Sequence, residues 1–337
     1  MNHPGLTRRS ALAAAIAGTA AFAAPPFVRN ARAQGLTKVS YQTGWLAQAE
    51  HGGYYQALAT GLYQKAGLDV EIRKGGPQVN VNPIFLAGNV DFAEFDSFRI
   101  LNFVNESLPG VAVAAFFQKD PRVLLSHPGV GNDTLAALKG KPILVATAGR
   151  QTYWQWLKTK FGYTDEQIRP YTFNLAPFLA DKQVSMQGFL TSEPFAARAA
   201  GVEPVVHLLA DAGFDNYSSI LLASPKMVKD KPDVVQRFVD ATAQGWQSYL
   251  HGDPAPANAL IQKQNPDMSA EKLAYAIDAI RKYGIVETAE TKALGIGTMS
   301  DARWKRFYDG MAASGAQPAG LDVTRGYTLQ FVNQKRA

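Results

Sequence analysis

The sequence contains no cysteine. That excludes disulfides, thiolate metal sites and thiol catalysis, and an exported form would have to be stabilised by its core alone. Histidine is nearly as scarce: His3, His51, His127, His207 and His251 lie far apart, with no pair at helical spacing. No zinc site is expected from such a set. There is no Gly-x-Ser-x-Gly elbow and no phosphate loop closing in Gly-Lys-Ser/Thr. "GVGN" from Gly129 and "GIGT" from Gly295 hold two glycines each and read as turns. Beyond the first 33 residues no apolar run approaches the length of a membrane span; the best is Val111 to Phe117. Long runs of lysine and arginine are missing too, which argues against a nucleic-acid partner. No cofactor, no metal and no catalytic constellation announces itself.

What is present begins with "MNHPGLTRRSALAAAIAGTAAFAAPPFVRNARAQG". Arg8 and Arg9 precede a weakly apolar, Ala-rich run from Ala11 to Ala24, and Ala31-Arg32-Ala33 is a small-x-small cleavage site. Residues 1–33 therefore read as a bacterial export signal of the twin-arginine (Tat) type, cut before Gln34, with a periplasmic destination. A membrane anchor is the weaker alternative, because the run is short and alanine contributes little hydrophobicity. The signal also explains the charge. The chain has 34 Lys+Arg against 28 Asp+Glu, but four arginines and no acid fall within residues 1–33, leaving 30 against 28. The basicity belongs mostly to export.

Beyond the signal, short strands alternate with helices. "KVSYQTG", "LDVEIRKG", "DFAEFD" and "VAVAAFFQ" read as strands. A helix is expected from about 50 to 66, a short one in "NVNPIFLAGNV", and another in "SFRILNFVNES". The alternation restarts after "KDPRVLLSHPGVGNDTLAALKGK" with strand "PILVATAG", helix "RQTYWQWLKTKFG", strand "VSMQGFLTSE", helix "PFAARAAG" and strand "PVVHLLAD". From "YSSILLAS" onward the chain becomes mainly helical; Val235, Phe238, Val239, Thr242, Trp246 and Tyr249 form one stripe. This is an α/β chain with parallel or mixed sheets. The expected division is discontinuous: residues 35–122 and 218–337 in a first lobe, 123–217 in a second, with a hinge at two crossings near Lys119–Val123 and Asp215–Ser218.

Trp45, His51, Gly53, Tyr55, Ala57, Gly61, Tyr63 and "GLDV" at 67–70, followed by "AGNVDFAEFDS", resemble the exported solute-binding proteins of ABC importers. Within these the chain is similar to the branch covering thiamine-pyrimidine precursors, nitrate, taurine and alkanesulfonates. The resemblance spans essentially everything after the signal. It implies a two-lobed periplasmic-binding-protein (type II) fold with a helical C-terminal part, a small-molecule ligand, a membrane permease as partner, a monomer, and no enzymatic activity. Related eukaryotic pyrimidine synthases carry a Cys-rich motif that this chain lacks. An exported pyrimidine-handling enzyme and a sensor subunit docking on a receptor remain as other readings.

Ligands of open α/β sheets bind at the carboxyl ends of the strands, which selects the loops to search. Trp45 follows the first strand and can stack on a flat heterocycle or sit in the core. His51 is assigned to the pocket and Glu50 to the favourable charge at a helix start. Tyr55 can reach the pocket, whereas Tyr63 reads as packing. Glu94 and Ser97 close the "DFAEFDS" strand, and Ser97 can equally be a helix cap. Gly149, Arg150, Gln151 and Thr152 stand at a helix start that offers free N–H groups. Glu193 is either an acceptor, as the resemblance to pyrimidine binders implies, or a helix-start acid. Asp215 and Tyr217 mark the return crossing, with Asp215 possible as a plain turn residue. Aromatics and carboxylates outnumber cations on these loops, so a planar nitrogenous solute is expected over a sulfonate, taurine or nitrate.

Overall fold

The computed structural model describes residues 35–334 apart from positions 77, 78 and 173. The expected export signal lies outside the described residues. The strands are β1 (Thr37–Gln42), β2 (Leu68–Arg73), β3 (Phe92–Phe95), β4 (Val111–Phe117), β5 (Arg122–Ser126), β6 (Ile143–Val145), β7 (Ile168–Pro170), β8 (Ser185–Phe189), β9 (Val205–Leu208) and β10 (Ser218–Ala223). The first helices are α1 (Gly52–Ala59), α2 (Leu62–Lys65), α3 (Val81–Leu86) and α4 (Ser97–Asn105). The middle of the chain adds α5 (Thr147–Arg150), α6 (Tyr153–Phe161), α7 (Ala176–Ala180) and α8 (Glu193–Ala199). The remainder supplies α9 (Pro225–Asp230), α10 (Pro232–His251), α11 (Ala255–Gln264), α12 (Ala270–Lys282), α13 (Ala289–Leu294) and α14 (Asp301–Ala313).

Two five-stranded sheets form, ordered β2-β1-β3-β10-β4 and β7-β6-β8-β5-β9. Each repeats one plan. Three strands run parallel, and the fourth position is antiparallel: β10 between β3 and β4, β5 between β8 and β9. The antiparallel strand in each sheet is the one the chain enters on crossing from the other. Two segments join the sheets, between β4 and β5 and between β9 and β10. Asn216 Nδ2 donates to Asp120 Oδ2 at 2.6 Å, tying one crossing to the other. Arg303 of α14, nearly buried, bonds the carbonyls of Gln118 and Asn216 and ion-pairs with Asp215 at 2.8 Å.

The expected stripe on α10 is buried in full. It packs against α1 so closely that a Cβ on Gly53 would lie 2.3 Å from Trp246 and one on Gly245 2.1 Å from the Gly53 carbonyl oxygen. Tyr63 packs as expected, its ring stacked on Phe238 at 5.1 Å. Three local expectations need correction. The helix expected over 50–66 is broken by Gly61, whose φ of +72° belongs to the left-handed region. Asp96, not Ser97, caps α4, accepting from Arg99 N at 2.9 Å. "RVLLS", read as connecting chain, is strand β5, and "IRP" forms a further strand, β7; both are short and gain their pairing from partners distant in sequence.

Candidate functional site

Beyond β1 the chain turns at Thr43, Gly44 and Trp45. Thr43 Oγ1 donates to the Trp45 carbonyl at 2.6 Å and accepts from Gly75 N at 2.9 Å, which fixes the turn. Trp45 is half-buried there. Gly44 N donates to Glu94 Oε2 at 2.7 Å, and His51 Nε2 meets the same oxygen at 3.0 Å. Burial opposes charge on both partners. Glu94's charge and hydrogen bond nonetheless hold His51 above its ordinary value. His51 in turn, with the Gly44 N–H, holds the Glu94 carboxyl below its own. Both shifts favour an imidazolium–carboxylate pair.

At this pair, His51 Nδ1 and Glu50 Oε2 are buried without a hydrogen-bond partner among the described residues. Ser219 holds a φ of +45° within β10. Native interiors rarely leave buried polar groups unmet unless a site or water uses them.

The second sheet presents a facing edge. Glu193 Oε1 accepts from Tyr171 OH at 3.1 Å, and Oε2 accepts from Phe189 N at 2.7 Å and from Ser192 Oγ. Gln187 Oε1 accepts from Ala146 N at 2.6 Å and Tyr153 OH at 2.8 Å. Gly149 lies so near Tyr153 that a Cβ would stand 2.6 Å from its ring. Thr152 Oγ1 donates back to the Gly149 carbonyl at 3.3 Å. Arg150 is half-buried and Gln151 exposed.

The edges meet. Thr191 donates its hydroxyl to Glu50 Oε1, and Tyr275 of α12 donates to the Leu190 carbonyl at 3.1 Å. Burial lifts the Glu50 carboxyl above its ordinary value, and Thr191's bond only partly offsets it. Beside this junction opens a cleft of about 260 Å³, lined from the first sheet's side by Leu46, Gln48 and Asn265 and from the second's by Tyr171, Thr191 and Glu193. A larger hollow of about 470 Å³ lies against α14, lined by Asp301, Lys305 and Tyr327. It contains none of the expected residues, and only the cleft joins the carboxyl edges of both sheets, where α/β folds bind ligands.

The expected residues thus divide. Glu193 lines the cleft, whereas His51 and Glu94 pair beneath the turn that carries Trp45 and do not line it. Glu193 is the first residue of α8, not the end of a strand, and its oxygens are already committed. Tyr55 is fully buried and donates to Gln264 Oε1 at 2.7 Å, bracing the cleft wall beside Asn265 from behind. Ser97 is buried and exchanges hydrogen bonds with the Tyr217 backbone. Tyr217 packs under the Arg303 guanidinium, 4.0 Å from its ring centre, and its hydroxyl accepts from Ser300 N at 3.1 Å. Asp215 pairs with Arg303 and Arg306. Asp215 and Tyr217 therefore serve the crossing and α14. Sequence reasoning passed over Glu50, Thr191 and Arg303. Glu50 was visible only as a helix-start acid, and Thr191 only as a neighbour of Glu193.

Two sheets of one plan, joined by two crossings and meeting at their carboxyl edges, form a periplasmic-binding-protein fold. The profile described as NMT1/THI5 like matches residues 48–257, and the chain belongs to that family. It is 23% identical over 305 residues to the riboflavin-binding protein RibY of Chloroflexus aurantiacus, covering 88% of this chain and 86% of that protein. The periplasmic aliphatic sulphonate-binding protein SsuA of Escherichia coli superposes with a TM-score of 0.65 at 13% identity, covering 90% of this chain and 94% of that one. The desulfurization enzyme DszB superposes with a TM-score of 0.55 at 12% identity, covering 88% and 97%. At these identities the structural likenesses establish the fold.

Proposed function

We propose that this chain is exported to the periplasm, captures a planar nitrogenous heterocycle between two lobes, and delivers it as a monomer to an ABC permease. The lobes are residues 35–122 with 218–337, and 123–217; the crossings at Asp120 and Asn216 act as the hinge. The observation that carries this reading is Glu50. Its Oε1 meets Thr191 of the opposite lobe, while its Oε2 is buried and unmet. A ring N–H or amino group would satisfy that oxygen, and a buried unmet acceptor costs about 1–3 kcal/mol. Trp45, half-buried on the turn after β1, is the aromatic face assigned to the solute. The acceptor assigned to Glu193 from sequence passes to Glu50. Binding RibY's ligand, riboflavin, would fit the same solute class. Closure by differential affinity needs no covalent step.

The test is a thermal-shift and calorimetric screen of ligand-stripped protein. Riboflavin and aminopyrimidines are expected to stabilise it at micromolar concentration, and Glu50→Gln to weaken that binding. A solute at about a hundred times its Kd stabilises by roughly 2.7 kcal/mol, which such a scan resolves. Micromolar binding of taurine, alkanesulfonates or nitrate, with none of the heterocycles, would overturn the reading.

A further inference from the structure

Arg122 opens β5 beside the last residue of β8, Phe189, at the carboxyl edge of the second sheet where the chain crosses between lobes. Its guanidinium lies over two rings, 5.0 Å from the centre of Tyr153 and 5.5 Å from that of Phe189. Among the described residues it has no ion pair and no side-chain hydrogen bond. The carboxylates near it are used elsewhere. Asp120 accepts from the Arg122 backbone N at 2.9 Å and from Asn216 Nδ2 at 2.6 Å. Asp96 caps α4. By contrast, Arg303 and Arg198 are spent on Asp215 and Glu203.

Stacking on aromatic faces occupies the flat sides of a guanidinium and leaves its in-plane N–H donors free. Those donors form the fork that matches a carboxylate, sulfonate or phosphate in two parallel hydrogen bonds. We propose that Arg122 is an anion-binding residue of the interlobe site, so that the solute carries an acidic group as well as a heterocycle. This rests on the reading that solute binds between the lobes. Glu50 and Arg122 then define two poles, one accepting a ring N–H and one donating to an anion. A molecule bearing both ends satisfies both, whereas a neutral heterocycle leaves the cation unmet.

Two probe sets test it on the whole purified protein. Riboflavin and riboflavin 5′-phosphate are compared by calorimetry, and methyl phosphate, methanesulfonate and acetate at millimolar concentration by thermal shift. The phosphorylated flavin is expected to bind at least about tenfold tighter than the neutral one, as a charge-assisted pair would give. Arg122→Gln should remove that difference and the small-anion stabilisation, and Arg122→Lys should keep part of both. Circular dichroism of each variant verifies folding; should Arg122→Gln not fold, Arg122→Lys together with methyl phosphate competition against the flavin phosphate decides. Equal binding of the two flavins, or anion stabilisation unchanged in the Arg122 variants, overturns the proposal. If neither flavin binds but small anions still stabilise through Arg122, the anion site stands and the heterocycle reading fails. If riboflavin binds through Glu50 and no anion effect depends on Arg122, the outcome is the reverse.

Discussion

Thr191 donates its hydroxyl to Glu50 across the cleft, joining two residues 141 positions apart in the chain. That bond links the carboxyl edges of the two sheets one residue beyond Leu190, whose N donates to the Pro121 carbonyl at 2.8 Å beside the Asp120–Asn216 pairing. Thr191→Val is expected to favour an open arrangement in the absence of ligand. Small-angle scattering should record a larger radius of gyration than for the unsubstituted protein, and saturating ligand should restore the compact value. An unchanged radius would mean that the contacts of Tyr275 with Leu190, Arg198 and Phe195 hold the edges together without it.

The His51–Glu94 pair predicts a pH signature. Glu94 is held below its ordinary value, so its contribution is present above about pH 4.3 and is lost as pH falls through its folded value. His51 is held above its ordinary value, so its contribution is complete below about pH 6.5 and is lost as pH rises through its folded value. The stability difference between the protein and His51→Gln should therefore peak between about pH 4.3 and 6.5 in urea unfolding. A difference independent of pH would show that the pair is not ionised.

Glu50 should behave oppositely. Burial raises its folded value, so its stability contribution is fully present below about pH 4.3 and is lost as pH rises. Glu50→Gln should gain stability relative to the unsubstituted protein as pH increases above that point, even while it loses ligand affinity. A constant offset across pH would count against a Glu50 carboxyl raised by burial.

Glu193→Gln is expected to act on stability more than on binding. Three donors converge on this carboxylate, and disturbing hydrogen bonds to a charged group costs about 1.5–3 kcal/mol. Thermal unfolding should drop while the solute Kd changes little. A large affinity loss with unchanged stability would return Glu193 to the role first assigned to it.

Gly245→Ala should destabilise strongly, because its Cβ would meet the Gly53 carbonyl oxygen at 2.1 Å and force α1 from α10. Overpacking of this kind costs about 1–3 kcal/mol or more. Chemical denaturation should show a lower midpoint with an unchanged slope. Replacing Arg8 and Arg9 by Lys should retain precursor in the cytoplasm; normal export and cleavage would assign the signal to the general secretory route.

Sequence by itself determined the alternation of strands and helices, the buried stripe of α10 and the turn after β1 that carries Trp45. Each follows from residue periodicity or from a local stop signal. Tertiary structure decided which groups are free to bind. Glu50 and Glu193 look alike in sequence, each an acid at a helix start. Glu193 is saturated by three donors within 22 residues of it, whereas the side-chain donor to Glu50 among the described residues is Thr191, 141 positions away. Likewise Asp215 and Tyr217 are drawn to α14 by Arg303, 87 residues beyond Asn216, while Arg122 lies over aromatic faces with no direct ion pair among the described residues. Local sequence specifies the backbone path. Whether a buried charge is spent or available depends on partners that only folding brings within a few ångströms.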